Sequence, residues 1–264
     1  MTKKGLWKVI IMVGCYFILG SICVALGILC LFLQLDSRSL LVGLICYLCC
    51  PLIFFWGRYG EGKAKLIRLA SKLLRVELRP AEFIARYEAL RNNTELVICK
   101  PSLDVLQLVL AAHDSLDNRE AALATVDEMI AVAGEKKKAF AKLLKADLLY
   151  SHGRVEEAEA LFTEARAGKL DMMSQGLADA IMKSDRALAL GDYKTAELYN
   201  LQMLSRTFPK PDNLNKVVLH IQLGKVYEKL QDTEKAVNHY RYCAEHGGET
   251  AMKAEAKAAL ERLR

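Results

Sequence analysis

Three side chains of zinc-ligand type, His239, Cys243 and His246, stand at i, i+4 and i+7, which would place them on one face of a helix. Imidazole and thiolate at such spacing are the chemistry of a tetrahedral metal site. The pair Gly247-Gly248 ends that helix directly after His246, and packing together with a helix-end role accounts for all three residues without an ion. The other histidines, His113, His152 and His220, have no Glu or Asp at a metalloprotease spacing. Nor is there a Gly-x-Ser-x-Gly elbow, a phosphate-binding loop or a dinucleotide fingerprint. No metal, no cofactor and no catalytic set is therefore expected, and the chain reads as a non-enzyme. Asn92-Asn93-Thr94 matches a glycosylation sequon, which would be inert on the cytoplasmic side of a membrane.

The elements that must carry any other chemistry differ sharply along the 264 residues, which are 53% hydrophobic and 26% charged. Residues 1–60 hold five basic side chains against one acidic, residues 61–79 six against two, and the rest carries a net charge of −2 against +6 for the whole. The large C-terminal part thus has no basic surplus for phosphates, and nucleic acid is not an expected partner. Six of the eight cysteines lie within apolar N-terminal runs, so no disulfide framework is visible and a reducing compartment is expected.

Leu6–Leu35 carries a single charge, Lys8, near its start, and Leu40–Gly57 carries none. Both are long enough to cross a hydrocarbon layer of about 30 Å. The link Asp36-Ser37-Arg38-Ser39 is so short that two spans would form a tight hairpin over residues 1–60. Lys3, Lys4 and Lys8 before it, and Arg58, Lys63 and Lys65 after it, place both termini on the cytoplasmic side. In residues 61–79, Lys65, Arg68, Lys72, Arg75 and Arg79 fall within roughly 80° of a helical wheel, opposite Leu66, Leu69, Ala70, Leu73, Leu74 and Leu78. Such a basic amphipathic helix serves either on anionic lipid or as the first helix of the domain behind it.

From Pro80 to Arg264 the spacing is helical throughout, with breaks at Asp117-Asn118, Gly153, Gly191 and Gly247-Gly248. The fold class is all-α. Gly153 and Gly191 suit left-handed helix ends. One unit reads Leu223-Gly224-x-x-Tyr227, then Asp232, then Ala236-x-x-x-Tyr240-x-x-Cys243. A second reads Ala146-x-x-Leu149, Gly153, Ala158-x-x-x-Phe162-x-x-Ala165. Weaker copies use Ser184, Ala187, Gly191-Asp192, Ala196, Asn200 and Met203, and then Ala122, Val126 and Met129. The small-large-small pattern resembles the tetratricopeptide repeat. Alanines of the second helices are spaced 36, 38 and 40 residues apart, longer than that family's 34-residue period, so the likeness is to a divergent array.

The resemblance implies helix pairs stacked into a solenoid over residues 80–264, closed by a capping helix at 249–264 with Ala251, Ala254, Ala258 and Leu260 on its buried side. It also implies a binding groove on the first helices, carrying Phe140, Leu143, Asp147 and Tyr150, then Ile181, Met182 and Asp185, then Ile221, Lys225 and Lys229. Acid in two units suits a basic or amphipathic peptide. The function expected is that of a membrane-anchored scaffold or adaptor recruiting a protein or peptide partner. The alternative is a structural hairpin protein that self-associates as a homo-oligomer and organises the membrane, with a membrane enzyme as a remote third.

Overall fold

The computed structural model describes residues 64–92, 101–167 and 170–264. The chain divides into two units, one of residues 1–66 and 87–100 and one of residues 67–86 and 101–264, and the account below concerns the second. The expected spans Leu6–Leu35 and Leu40–Gly57 lie outside the described residues. No helix among the described residues is long and apolar enough to cross a membrane.

The described residues are all-α, with no strand. A π-helical segment, Ala70–Val76, is followed by eleven α-helices: α1 (Pro80–Asn92), α2 (Leu103–Ser115), α3 (Arg119–Val132), α4 (Glu135–Ser151), α5 (Val155–Arg166), α6 (Met172–Lys183), α7 (Asp185–Ala189), α8 (Tyr193–Leu204), α9 (Asn213–Lys229), α10 (Thr233–His246) and α11 (Ala251–Arg262). Short polar side chains start many of them. Asn118, Asp171, Asp192, Asp212 and Asp232 each accept a hydrogen bond from the amide three residues on, occupying a donor that the helix itself leaves free.

The helices pair as α2/α3, α4/α5, α6–α7/α8 and α9/α10, and the four intervening turns have one construction. Each has a left-handed residue: Asp117 (φ 53°), Gly153 (φ 75°), Gly191 (φ 83°) and Gln231 (φ 61°). The next residue donates its amide to the carbonyl five back: Asn118 to His113, Arg154 to Leu149, Asp192 to Ala187 and Asp232 to Tyr227, at 2.8–3.0 Å. This is the 6→1 bond of a Schellman helix end. Five residues after each left-handed residue come Ala122, Ala158, Ala196 and Ala236, every one fully buried. Turn and alanine therefore form one fixed cassette, and the lengthening from 36 to 40 residues takes place elsewhere in each pair.

Packing runs from each helix to its sequence neighbours. Leu106, Ala122, Val126, Met129, Ala141 and Leu148 form one core between α2, α3 and α4. Leu143, Ala146, Leu149, Ala158, Phe162 and Ile181 form the next, and Ala187, Ala196 and Val226 a third. In the last pair α10 crosses α9 at Gly224, where an added Cβ would lie 2.5 Å from Tyr240 Cε1. Tyr240 Oη donates to Glu228 Oε2 (2.8 Å), and Arg262 of α11 bonds the other carboxylate oxygen (2.6 Å), which fastens the closing helix to the last pair. The face that α11 buries carries Ala256 and Ala259; Ala254 and Ala258, expected inside, are exposed. An alanine-rich helix has small residues on every side, so the docking partner rather than the pattern selects its inner face.

Residues 70–79 pack against α9. Ala70, Leu73, Leu74 and Leu78 are buried. Asn213 Nδ2 donates to the Val76 carbonyl (3.0 Å), and the Glu249 amide to the Leu78 carbonyl (2.9 Å). Arg75 pairs with Asp212 (3.7 Å) and Arg79 with Glu249 (3.4 Å) and Glu82 (2.7 Å).

Candidate functional site

Asp147, Asp185 and Lys225 share one register position, six residues before the left-handed residue of their turns. The α6–α7 break positions Asp185: Ser184 leaves helical geometry (φ −112°, ψ −95°), and its Oγ donates to Asp185 Oδ2 (2.9 Å). Gln222 Nε2 of α9 donates to Asp185 Oδ1 (2.8 Å). Asp147 and Asp185 lie near enough for their carboxyls to influence one another. Burial, followed by the charges of Asp185 and Asp114, holds the Asp147 carboxyl well above the ordinary carboxylate range. Burial raises Asp185 as well, against the hydrogen bonds that it accepts.

Asp114, at the end of α2, extends this acidic group. Its side chain is open to solvent, yet dense surroundings and the charges of Asp185 and Asp117 push it up to about 6, with Lys225 opposing. Lys225 bonds Glu255 of α11 (2.8 Å), so that ammonium is shared with an acid outside the group.

The other residues expected in the groove are placed as follows. Tyr150 is buried, with its ring edge-on to Phe162 at 6.3 Å and its hydroxyl donating to Glu159 Oε1 (2.6 Å). Arg186 bonds both oxygens of that Glu159 (2.6 and 3.0 Å), tying α5 to α7. Met182 is half-buried, its sulfur 3.8 Å from Arg166 Nη1. Lys229 is exposed in the last turn of α9. Phe140, Leu143, Ile181 and Ile221 all belong to the core. Of the basic segment, Lys65, Arg68, Lys72, Arg75 and Arg79 are all exposed, but Lys72 pairs with Glu77 (3.6 Å), and Arg75 and Arg79 with acids of the helical array.

Sequence reasoning misses Asp114, Ser184 and Gln222. The signal for Asp114 is its place three residues before the left-handed Asp117, in the pair with the faintest motif. It also misses a histidine pair between α9 and α10. The Nδ1 atoms of His220 and His239 are 2.9 Å apart, with Tyr242 stacked on His220 at 3.8 Å. Burial, with His239, His246 and Lys216 nearby, pulls His220 down to about 4. Cys243 is buried; its Sγ donates to the Val217 carbonyl, and burial pushes the thiol up to about 12. Among the described residues no group of three or more His, Cys, Asp or Glu side chains is arranged to hold a metal ion.

Comparison with the models of known families, with curated proteins and with solved structures finds no match to the chain.

Proposed function

We propose that the chain is a membrane-anchored scaffold. The hairpin Leu6–Leu35 and Leu40–Gly57 holds a tetratricopeptide-like solenoid at the cytoplasmic face, and the first helices of its pairs bind a protein or peptide partner. The four turns of one construction, each five residues ahead of a buried alanine, support the solenoid reading. The observation that carries the binding reading is the register that Asp147, Asp185 and Lys225 share, each six residues before the left-handed residue of its turn on the first helix of successive pairs. Membrane attachment rests on the two apolar runs and their basic flanks. With Arg75 and Arg79 engaged by the array, Lys65 and Arg68 are the residues of that segment left to face anionic headgroups.

Photo-crosslinkers at exposed positions of the first helices, Asp179 and Lys229, and of the second helices, Glu156 and Glu234, test this reading in native membranes. A common adduct at Asp179 and Lys229 that is missing at Glu156 and Glu234 is expected. The same adducts at all four positions would refute a partner site on the first helices.

A further inference from the structure

One second helix differs from the other three on its outer side. At the positions two and five residues after the buried alanine, α3 presents Ala124 and Asp127, α5 Ala160 and Thr163, and α10 Asn238 and Arg241. α8 presents Leu198 and Leu201 there, both exposed, Leu198 by 71%. The chain leaves α8 through Ser205–Asp212, where Ala133-Gly134 suffices to join α3 to α4. α4 and α9 are equally long at 17 residues, so this longer connection supplies the stretch of the last alanine spacing to 40. Ser205 to Lys210 are all exposed, and Phe208 among them is 87% exposed.

Principles of packing make a lone exposed apolar side chain ordinary, but here hydrogen bonds join several into one border. The Ser205 amide donates to the Leu201 carbonyl (3.0 Å), and Arg206 Nε to the Phe208 carbonyl (3.0 Å). At the other end of the connection, Asp212 pairs with Arg75 (3.7 Å), and Asn213 bonds the carbonyl of Val76, itself 58% exposed. The loop therefore borders the strap, the segment that follows the second apolar run. Its charge has one sign. Residues 193–211 hold Lys194, Arg206 and Lys210 against a single acid, the half-buried Glu197. Arg206 uses Nε on the loop itself, which leaves the terminal nitrogens of its fork for a phosphate.

We propose that this border lies on an anionic bilayer surface, with Phe208 inserted at the boundary of headgroups and acyl chains, Leu198, Leu201 and Val76 against the interface, and Arg206 and Lys210 on lipid phosphates. Apolar tips flanked by cations, with no acid in the loop, match that surface in both polarity and charge. The inference rests on the anchor reading. Ile67 follows the second apolar run by ten positions, a tether of at most about 35 Å, which keeps the strap and its neighbouring loop beside the bilayer.

The test places p-benzoylphenylalanine at Phe208 or, in a second sample, at Glu156, an exposed position at the start of α5. The full chain is reconstituted in phosphatidylcholine vesicles with and without phosphatidylglycerol, irradiated, and its adducts are identified by mass spectrometry. Position 208 should yield a phospholipid adduct in the anionic vesicles, and position 156 none. Each basic group near an anionic surface is worth about fivefold in partitioning, so omitting phosphatidylglycerol, or combining Arg206→Gln with Lys210→Gln, should lower the yield at least about fivefold. That double variant should melt as the parent, since both side chains are exposed.

Equal lipid adducts at 208 and 156 would overturn the inference, as would a yield at 208 that ignores both the anionic lipid and the two substitutions. A dimer adduct at 208 in place of lipid, or in native membranes an adduct to another protein, would assign the patch to that occupant and refute the bilayer. Flotation of the vesicles after a carbonate wash judges the anchor separately. A chain that floats but gives no lipid adduct at 208 leaves the anchor standing and sinks this inference alone, whereas a chain that is washed off sinks both.

Discussion

At the scale of single residues, the structure's chemistry lies in pairs that no spacing within one helix would reveal. His220 and His239 approach from different helices, and the 2.9 Å contact needs one ring neutral to accept the other's proton. The native pKa of His220, about 4, lies below the ordinary 6.5, so the native state binds fewer protons than the unfolded chain between these values. His239 is lowered by burial in the same sense. The stability held by neutral His220 is thus complete above pH 6.5 and lost as pH falls from there toward 4. The aspartate group acts in the opposite direction, so the test is a comparison of variants. Relative to His220→Gln, the parent should lose on the order of 1–2 kcal/mol between pH 6.5 and 4.5, after allowance for the solvent that reaches the half-buried pair. Parallel melting curves for the two proteins across that range would refute it. The buried alanines were legible beforehand because crossing helices demand small residues at a fixed spacing. Asp147 and Asp185 were individually legible too, but their proximity depends on the register between pairs, which one sequence does not encode locally. His239 and Cys243 likewise share a face of the helical wheel yet have different partners, the His220 ring and the Val217 carbonyl.

At the scale of elements, the last pair tests the register most sharply. Ala236 is fully buried and Glu234, two positions before it, is exposed. α10 already lies so close to α9 that Gly224 has no space for a methyl group. Ala236→Leu should cost roughly 1–3 kcal/mol by overpacking, and Glu234→Leu less than about 0.5 kcal/mol. Thermal or urea unfolding of the two variants measures the contrast, and equal stabilities would mean that the helix is set differently. Element boundaries were largely legible from glycines and capping side chains. Two features were not. Asp117 and Gln231 adopt the left-handed geometry that Gly153 and Gly191 announce openly, because the cassette enforces that turn whichever residue occupies it. The segment Ala70–Val76 widens to π winding, closed by the Glu77 amide on the Lys72 carbonyl (2.9 Å), although its apolar spacing fits an ordinary helix.

At the scale of the whole helical unit, residues 70–79 are a strap across its far end rather than a first layer ahead of α2. Gly248 makes the contact possible: its φ is 58°, and a Cβ there would collide with Leu78, including its carbonyl oxygen at 2.7 Å. Gly248→Val should loosen the strap. Exchange of the Glu249 amide, which bonds the Leu78 carbonyl, should accelerate at least about tenfold, the equivalent of 1.4 kcal/mol, and trypsin should cut sooner after Lys72, Arg75 and Arg79. Unchanged protection and unchanged cutting would show that the strap does not depend on that contact. The bond between Leu78 and Glu249 also imposes a timetable on the ribosome. The carbonyl at 78 is made first, and its donor arrives only after 171 more residues have been joined. At about 5–20 residues per second, that segment waits roughly 10–30 s with Leu73, Leu74 and Leu78 uncovered, while the helix pairs between assemble one after another. Its apolar side needs a temporary cover during those seconds.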